Sequence, residues 1–333
     1  MKPTLNPQNP TTSGDFAMTT EPSPPPPRKN AYSPPGHTTR SYDAMRLISD
    51  PPLERLFDKA RRQGRDVPDL SEAAASTARI ATGDIRQIPA GGSPQFVAVN
   101  NEGTRLYVTD LHSGLVSMID ISREQVIATI RLSEGLYGVA ANPRSPELSV
   151  ADPGSMTLSL IEVSDEELSF RNSSGFGHAP YGVAVGARGG PVYLALALED
   201  AIMLTDKFAM GQDVFIPNID FPVGLAVTQD GTRLYASNYF ANTVSVIDLE
   251  SLSVVKEIET EKGPYGMAVS RDGGRLYVAH FPYDAISVID VPQEKVVERI
   301  TLGGWPKALA LSPDETRLYA TTPKGGSVSV IPI

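Results

Sequence analysis

FPVGLAVTQDGTRLYASNYFANTVSVIDLESLSVVKEI, from Phe221 to Ile258, holds four short apolar runs separated by turn residues. The runs are Gly224 to Val227, Arg233 to Ser237, Thr243 to Asp248 and Val254 to Ile258. Each is long enough for a strand and too short for a helix. The same sentence returns as GPYGMAVSRDGGRLYVAHFPYDAISVIDVPQEKVVERI (Gly263 to Ile300) and WPKALALSPDETRLYATTPKGGSVSVI (Trp305 to Ile331). Pro180, Pro222, Pro264 and Pro306 recur every 42 residues, and Pro94 and Leu136 continue the column upstream. Six units of this period, each with four strands, predict an all-β, six-bladed β-propeller over residues 83–333.

Working outward, residues 1–40 carry the run PSPPPPR and almost no contiguous apolar residues, so they are expected to be a disordered Pro-rich tail. Residues 41–82 change to a helical composition. Pro51 and Pro52 suit a first turn, and Leu53, Leu56 and Phe57 share one face, so one or two short helices are expected to pack on the propeller. No secretory h-region and no spanning apolar stretch is found, which predicts a cytoplasmic protein without a membrane partner. A net charge of −10 argues against a nucleic-acid partner, because phosphate binding needs clustered Lys and Arg. The absence of cysteine excludes disulfides, thiolate zinc sites and a Cys nucleophile.

The last repeat stops after its third strand, SVSVIPI, while GDIRQIP (Gly83 to Pro89) stands alone and compares well with VVERI and VVKEI. It is expected to supply the missing outer strand and close the ring, sparing the fold an open sheet edge. Ala98, Ala140, Ala184, Ala226, Ala268 and Ala310 form an invariant column on the innermost strands, where crowding near the axis admits only a small side chain.

The second strands end in YVTD (Tyr107 to Asp110), SVAD (Ser149 to Asp152), YLAL (Tyr193 to Leu196), YASN (Tyr235 to Asn238), YVAH (Tyr277 to His280) and YATT (Tyr319 to Thr322). With the RLYV and VSVID elements, they make residues 83–333 resemble the YVTN-repeat β-propellers. That resemblance implies the fold. It leaves activity open, since related propellers include lactonases, streptogramin-type lyases, subunits of cofactor enzymes and binding scaffolds.

Antiparallel strand order separates two faces. On one lie the DG turns and the turns after ID, which read as turn chemistry. The in-register Arg105, Arg233, Arg275 and Arg317 read as structural ion pairs or stem packing. On the other face the columns vary from blade to blade. Two residues before the prolines stand Glu134, His178, Asp220 and Lys262, and one residue after them stand Gln95, Tyr137, Tyr181, Val223, Tyr265 and Lys307. Strand ends add Asp110, Asp152, Asn238, His280 and Thr322. Structure requires sameness around the ring, so this uneven face is where function is expected. The expected site is a pocket at one mouth of the central channel, walled by Tyr137, Tyr181, Tyr265 and Trp305.

His178 and His280 are the candidate proton carriers, because imidazole titrates near neutral pH. Glu134, Asp220, Lys307, Asp110, Asp152 and Asn238 are candidate ligand contacts. The bland explanations are that Asp110, Asp152 and Asn238 cap their own turns and that the tyrosines pack the blades. No metal site or cofactor is predicted, although Glu134, Asp110, Asp152 and Asp220 could in principle supply oxygens to Ca²⁺ or Mg²⁺. Walker, HExxH, GxSxG and dinucleotide motifs are lacking. Two functions fit: a small-molecule-binding propeller acting as a hydrolase, lyase or isomerase, or a non-catalytic scaffold presenting the same face to a protein. Blades two and three (SVADPGSMTLSLIE and YLALALEDAIMLTD) lose the Arg-Leu-Tyr pattern and turn apolar, which suggests remodelling around a ligand.

Overall fold

The computed structural model describes residues 50–68, 85–206 and 213–333. The tail over residues 1–40 and much of the segment over 41–82 lie outside these residues. Six four-stranded antiparallel sheets follow one another along the chain. Five are built from consecutive strands, over residues 94–131, 139–175, 183–217, 222–259 and 264–300. The sixth takes Leu309–Leu311, Arg317–Thr322 and Ser327–Pro332 and is completed by Arg86–Pro89. That closing strand pairs Ile88 with Val328 and Gln87 with Ser329, and Ile88 is fully buried. Gln87 adds side-chain hydrogen bonds to Ser327 and Ser329.

The core lies between neighbouring blades. Ala226 and Tyr235 of blade four meet Met267, Leu276 and Val278 of blade five, and Ile88 and Val328 of blade six meet Leu106 and Val108 of blade one. The alanine column gains a specific reason. Ala98, Ala184, Ala226, Ala268 and Ala310 each pair across the sheet with the tyrosine of the RLY-type strand, where a larger side chain would collide with the ring. Outer strands are exposed on one face, as in Ser253–Glu259. On the DG-turn face, Arg105 binds Asp120 at 2.8 Å and Arg233 binds Asp248, each pair lying directly across two strands.

Among the described residues one helix precedes the ring, α1 (Pro51–Arg62). Asp50 is its N-cap, accepting from the Leu53 amide at 3.1 Å, and Pro51 and Pro52 occupy positions where no amide donor is needed. Lys59, Arg61 and Arg62 fall in the last turn, where cations suit the helix dipole. Leu53, Leu56, Phe57 and Ala60 form one buried stripe, which seats the helix on the propeller.

Candidate functional site at the channel mouth

The column one residue after the prolines builds the site. Its main-chain carbonyls stitch the blades together. Tyr181 O accepts from Gly138 N at 2.9 Å, Tyr265 O from Ser237 Oγ at 2.5 Å, Lys307 O from Gly266 N at 2.9 Å and Gln95 O from Thr321 Oγ1 at 2.8 Å. Tyr137 O accepts from Thr109 Oγ1. The next residue along is glycine in four blades because backbones touch there: a Cβ on Gly224 would lie 2.0 Å from Tyr265 O, and one on Gly182 would lie 2.1 Å from Val223 O.

Anchored this way, Gln95, Tyr137, Tyr181, Val223, Tyr265 and Lys307 form a ring of side chains, none more than 1 % exposed. Phe96 spans the centre, with its ring 6.2 Å from that of Tyr137 and 6.1 Å from that of Tyr265. Where the sequence leads one to expect an open pocket, α1 is seated. Tyr137 donates to Asp50 Oδ1 at 2.5 Å, and Lys307 Nζ donates to Asp50 Oδ2 at 2.9 Å and to Gln95 Oε1. Tyr181 donates to the Pro52 carbonyl at 2.8 Å. Phe57 stacks on Tyr239 with centroids 6.0 Å apart. Lys59 binds Asp200 at 2.8 Å and lies 4.2 Å from the Phe221 ring centre, and Arg65 binds Asp220.

Burial dominates the electrostatics. It pushes the Lys307 ammonium below its ordinary range, while the Asp50 carboxylate pulls it back. It raises the phenols of Tyr137, Tyr181, Tyr239 and Tyr265 well above theirs, so all four are donors at neutral pH. The Tyr239 hydroxyl finds no hydrogen-bond partner among the described residues, whereas that of Tyr265 lies within reach of the Tyr137 phenol.

The structure therefore brings Tyr137, Tyr181, Tyr265, Lys307 and Asp220 together around one segment, with Trp305 against Phe281 in the same apolar cluster. The other candidates stand apart from it. His280 is buried, with Nδ1 3.1 Å from the Lys262 carbonyl and Nε2 2.9 Å from Ser287 Oγ. Burial lowers it to about 4, so it is neutral at pH 7, donating through Nδ1 to the carbonyl and accepting from the serine through Nε2. His178 is half-exposed, 3.3 Å from Glu199, and packs edge-on against Phe215 of the outer strand; no hydrogen bond links it to His280. Asp110 accepts from Ser93 N and Ser113 N, and Asp152 accepts from Ser155 N. Asn238 donates to Thr243 and Ser245. Glu134 is exposed, 3.9 Å from Arg131. The four carboxylates considered for a cation thus serve different partners, and among the described residues no cluster of three or more His, Cys, Asp or Glu is arranged to hold a metal.

Sequence reasoning missed Asp50, Asp200, Arg65, Phe221 and Tyr239. The apolar drift of blade three has a cause here, since Ala197 and Asp200 receive Lys59 and Leu198 packs against the same cluster as α1.

Residues 224–314 match the family model of YNCE-like β-propellers. The match runs from blade four into blade six, so over that stretch the chain is similar to the YNCE-like propellers. No protein among the curated sequences matches it significantly. Among solved structures, the propeller is similar to Kuenenia stuttgartiensis hydrazine synthase, with a TM-score of 0.60 and 16 % identity over 78 % of this chain and 99 % of that one. It is also similar to the Cps50 (Swd1) β-propeller domain of Myceliophteria thermophila, with a TM-score of 0.57 and 14 % identity over 75 % and 99 %. A streptogramin B lyase structure gives 0.53 and 11 % over 74 % and 96 %. At these identities the likeness is one of fold, and it spans enzymes and a protein with no reaction in its name. Among the described residues no helix is long and apolar enough to cross a membrane.

Proposed function

We propose that this propeller is a binding module whose site is the ring of six side chains at the channel mouth, and that α1 is a built-in occupant of that site. The buried contact of Asp50 with Lys307 and Tyr137 carries the reading, because it is chemistry of ligand recognition performed on a segment from outside the ring. A purely structural plug would need only the apolar stripe of α1. The ionic contact instead sits at the centre of the mouth, where desolvation makes it both costly and selective. Acid/base catalysis by His178 and His280 gains no comparable support, since His280 has both ring nitrogens engaged and His178 faces Glu199 elsewhere.

The test unseats α1 in the full chain by replacing Leu53→Lys and Phe57→Lys, which puts charge on the buried stripe. Trp305, the single tryptophan, reports on the mouth. A synthetic peptide of residues 50–68 should then bind saturably and restore the tryptophan signal of the unaltered protein. A folded variant that ignores the peptide would refute the proposal.

A further inference from the structure

Lys307 is the one cation among the six ring side chains, and among the described residues the propeller body gives it no counter-charge. Its neighbours are the Gln95 amide oxygen and the faces of Tyr137, Tyr265 and Phe281, with centroids 4.9, 5.2 and 4.9 Å away. The carboxylate it contacts belongs to Asp50, outside the ring. With α1 unseated, the mouth would present an ammonium group in an aromatic box, an arrangement that calls for an anion. The donors are arranged for a carboxylate: the ammonium takes one oxygen at 2.9 Å and the Tyr137 phenol takes the other at 2.5 Å. A single cation matches a monoanion. Arg65, in the segment after α1, is committed to Asp220. Around this polar point stand Phe96, Phe221, Val223 and Phe281, all buried.

α1 leaves part of the site unused. Tyr239, 1 % exposed, keeps a hydroxyl group without a partner in the mouth cluster. Buried donors in folded proteins are nearly always paired, so this one marks an oxygen that the occupant does not bring.

Building on the reading of the mouth as a binding site, we propose that its external ligand is a small carboxylic acid. This acid carries an apolar body and at least one further oxygen acceptor, and it displaces the first two turns of α1. Its carboxylate takes the place of Asp50 between Lys307 and Tyr137, its apolar body replaces Leu53 and Phe57, and its extra oxygen serves the free phenol of Tyr239.

The experiment uses the full chain carrying Leu53→Lys and Phe57→Lys, with Trp305 fluorescence and calorimetry as readouts. The probes are the 50–68 peptide, phenyllactate, its neutral isostere phenyllactamide, 3-phenylpropionate, which lacks the second oxygen, and inorganic phosphate. Phenyllactate should compete with the peptide, and phenyllactamide should be weaker by about tenfold or more, the loss of one charge-assisted contact. Adding Lys307→Met should erase the difference between acid and amide. Phenyllactate should outbind 3-phenylpropionate, and Tyr239→Phe should abolish that preference. If the peptide binds but acid and amide compete equally, or phosphate matches phenyllactate, the ligand class is wrong and the binding module stands. If neither peptide nor acids bind, both fall. Should the double variant fail to fold, hydrogen exchange of α1 in the unaltered protein decides. Phenyllactate should speed exchange over residues 53–60 while phenyllactamide does not, and identical protection with and without phenyllactate would overturn the proposal.

Discussion

Replacing His280 by Asn should flatten the acid sensitivity of this protein. The neutral imidazole is held between the Lys262 carbonyl and Ser287 Oγ, with burial lowering it from 6.5 to about 4 and Arg299 adding repulsion. In the unfolded chain the imidazole protonates through its ordinary value, whereas in the folded chain it stays neutral until pH nears 4. Below pH 6.5 the folded state therefore binds fewer protons than the unfolded one, and stability falls as pH falls between those values. From pH 7.5 to pH 5 the loss amounts to about 2 kcal/mol. Asn occupies the equivalent position in blade four, where Asn238 donates to Ser245, the counterpart of Ser287. His280→Asn should thus keep the serine contact, lose the reach to Lys262 and cost about 1 to 2 kcal/mol at pH 7.5. At pH 5 that deficit should vanish, because the variant has no imidazole to titrate. The carboxylates held low by turn hydrogen bonds, Asp120, Asp230, Asp248, Asp272 and Asp314, titrate below this window. Urea denaturation of both proteins at pH 7.5, 6 and 5 makes the comparison. Parallel pH profiles, or an NMR titration of His280 near 6.5, would show the reasoning to be wrong.

Asp50→Asn should leave Lys307 charged and unmatched, weakening α1 docking by about 3 to 5 kcal/mol, whereas Asp50→Leu with Lys307→Met should cost about 1 to 2 kcal/mol, the loss of the N-cap and of the Tyr137 acceptor; melting curves and exchange rates of α1 separate the two. Gly224→Ala should destabilise by about 3 kcal/mol, because the added methyl meets the Tyr265 carbonyl and neither backbone can retreat; a melting temperature close to that of the parent would contradict this. Ile88→Ala should cost about 2 to 5 kcal/mol and open blade six first, read as early exchange of the amides in Ser327–Pro332.

The blades were legible because each strand is written several times, so DG turns, the alanine column and the RLY strands confirm one another. The closing strand was legible for the same reason, since GDIRQIP resembles other outer strands. The ring from Gln95 to Lys307 was visible as an uneven column, and its convergence follows from topology alone. Its occupant was not. Asp50-Pro51-Pro52 announces a helix start, but nothing local says that the capping carboxylate reaches a lysine 257 positions away. His280 shows the reverse case, because its ionisable side chain drew attention while its partner Ser287 stood in plain view in ISVID, this blade's version of the repeating VSVID element. An imidazole that hydrogen-bonds within its own blade does the work of the Asn in the next.

The hydrogen bond between Gln87 and Ser327 joins residues 240 positions apart. While the ribosome is still making the intervening chain, five sheets can assemble one after another, but the growing arc keeps two raw ends. Each end offers unpaired strand edges and apolar flanks to any neighbouring nascent protein. Biogenesis should therefore be slow at its final step and sensitive to crowding on polysomes, with chaperone demand concentrated on the interval between synthesis of the fifth and the sixth sheet.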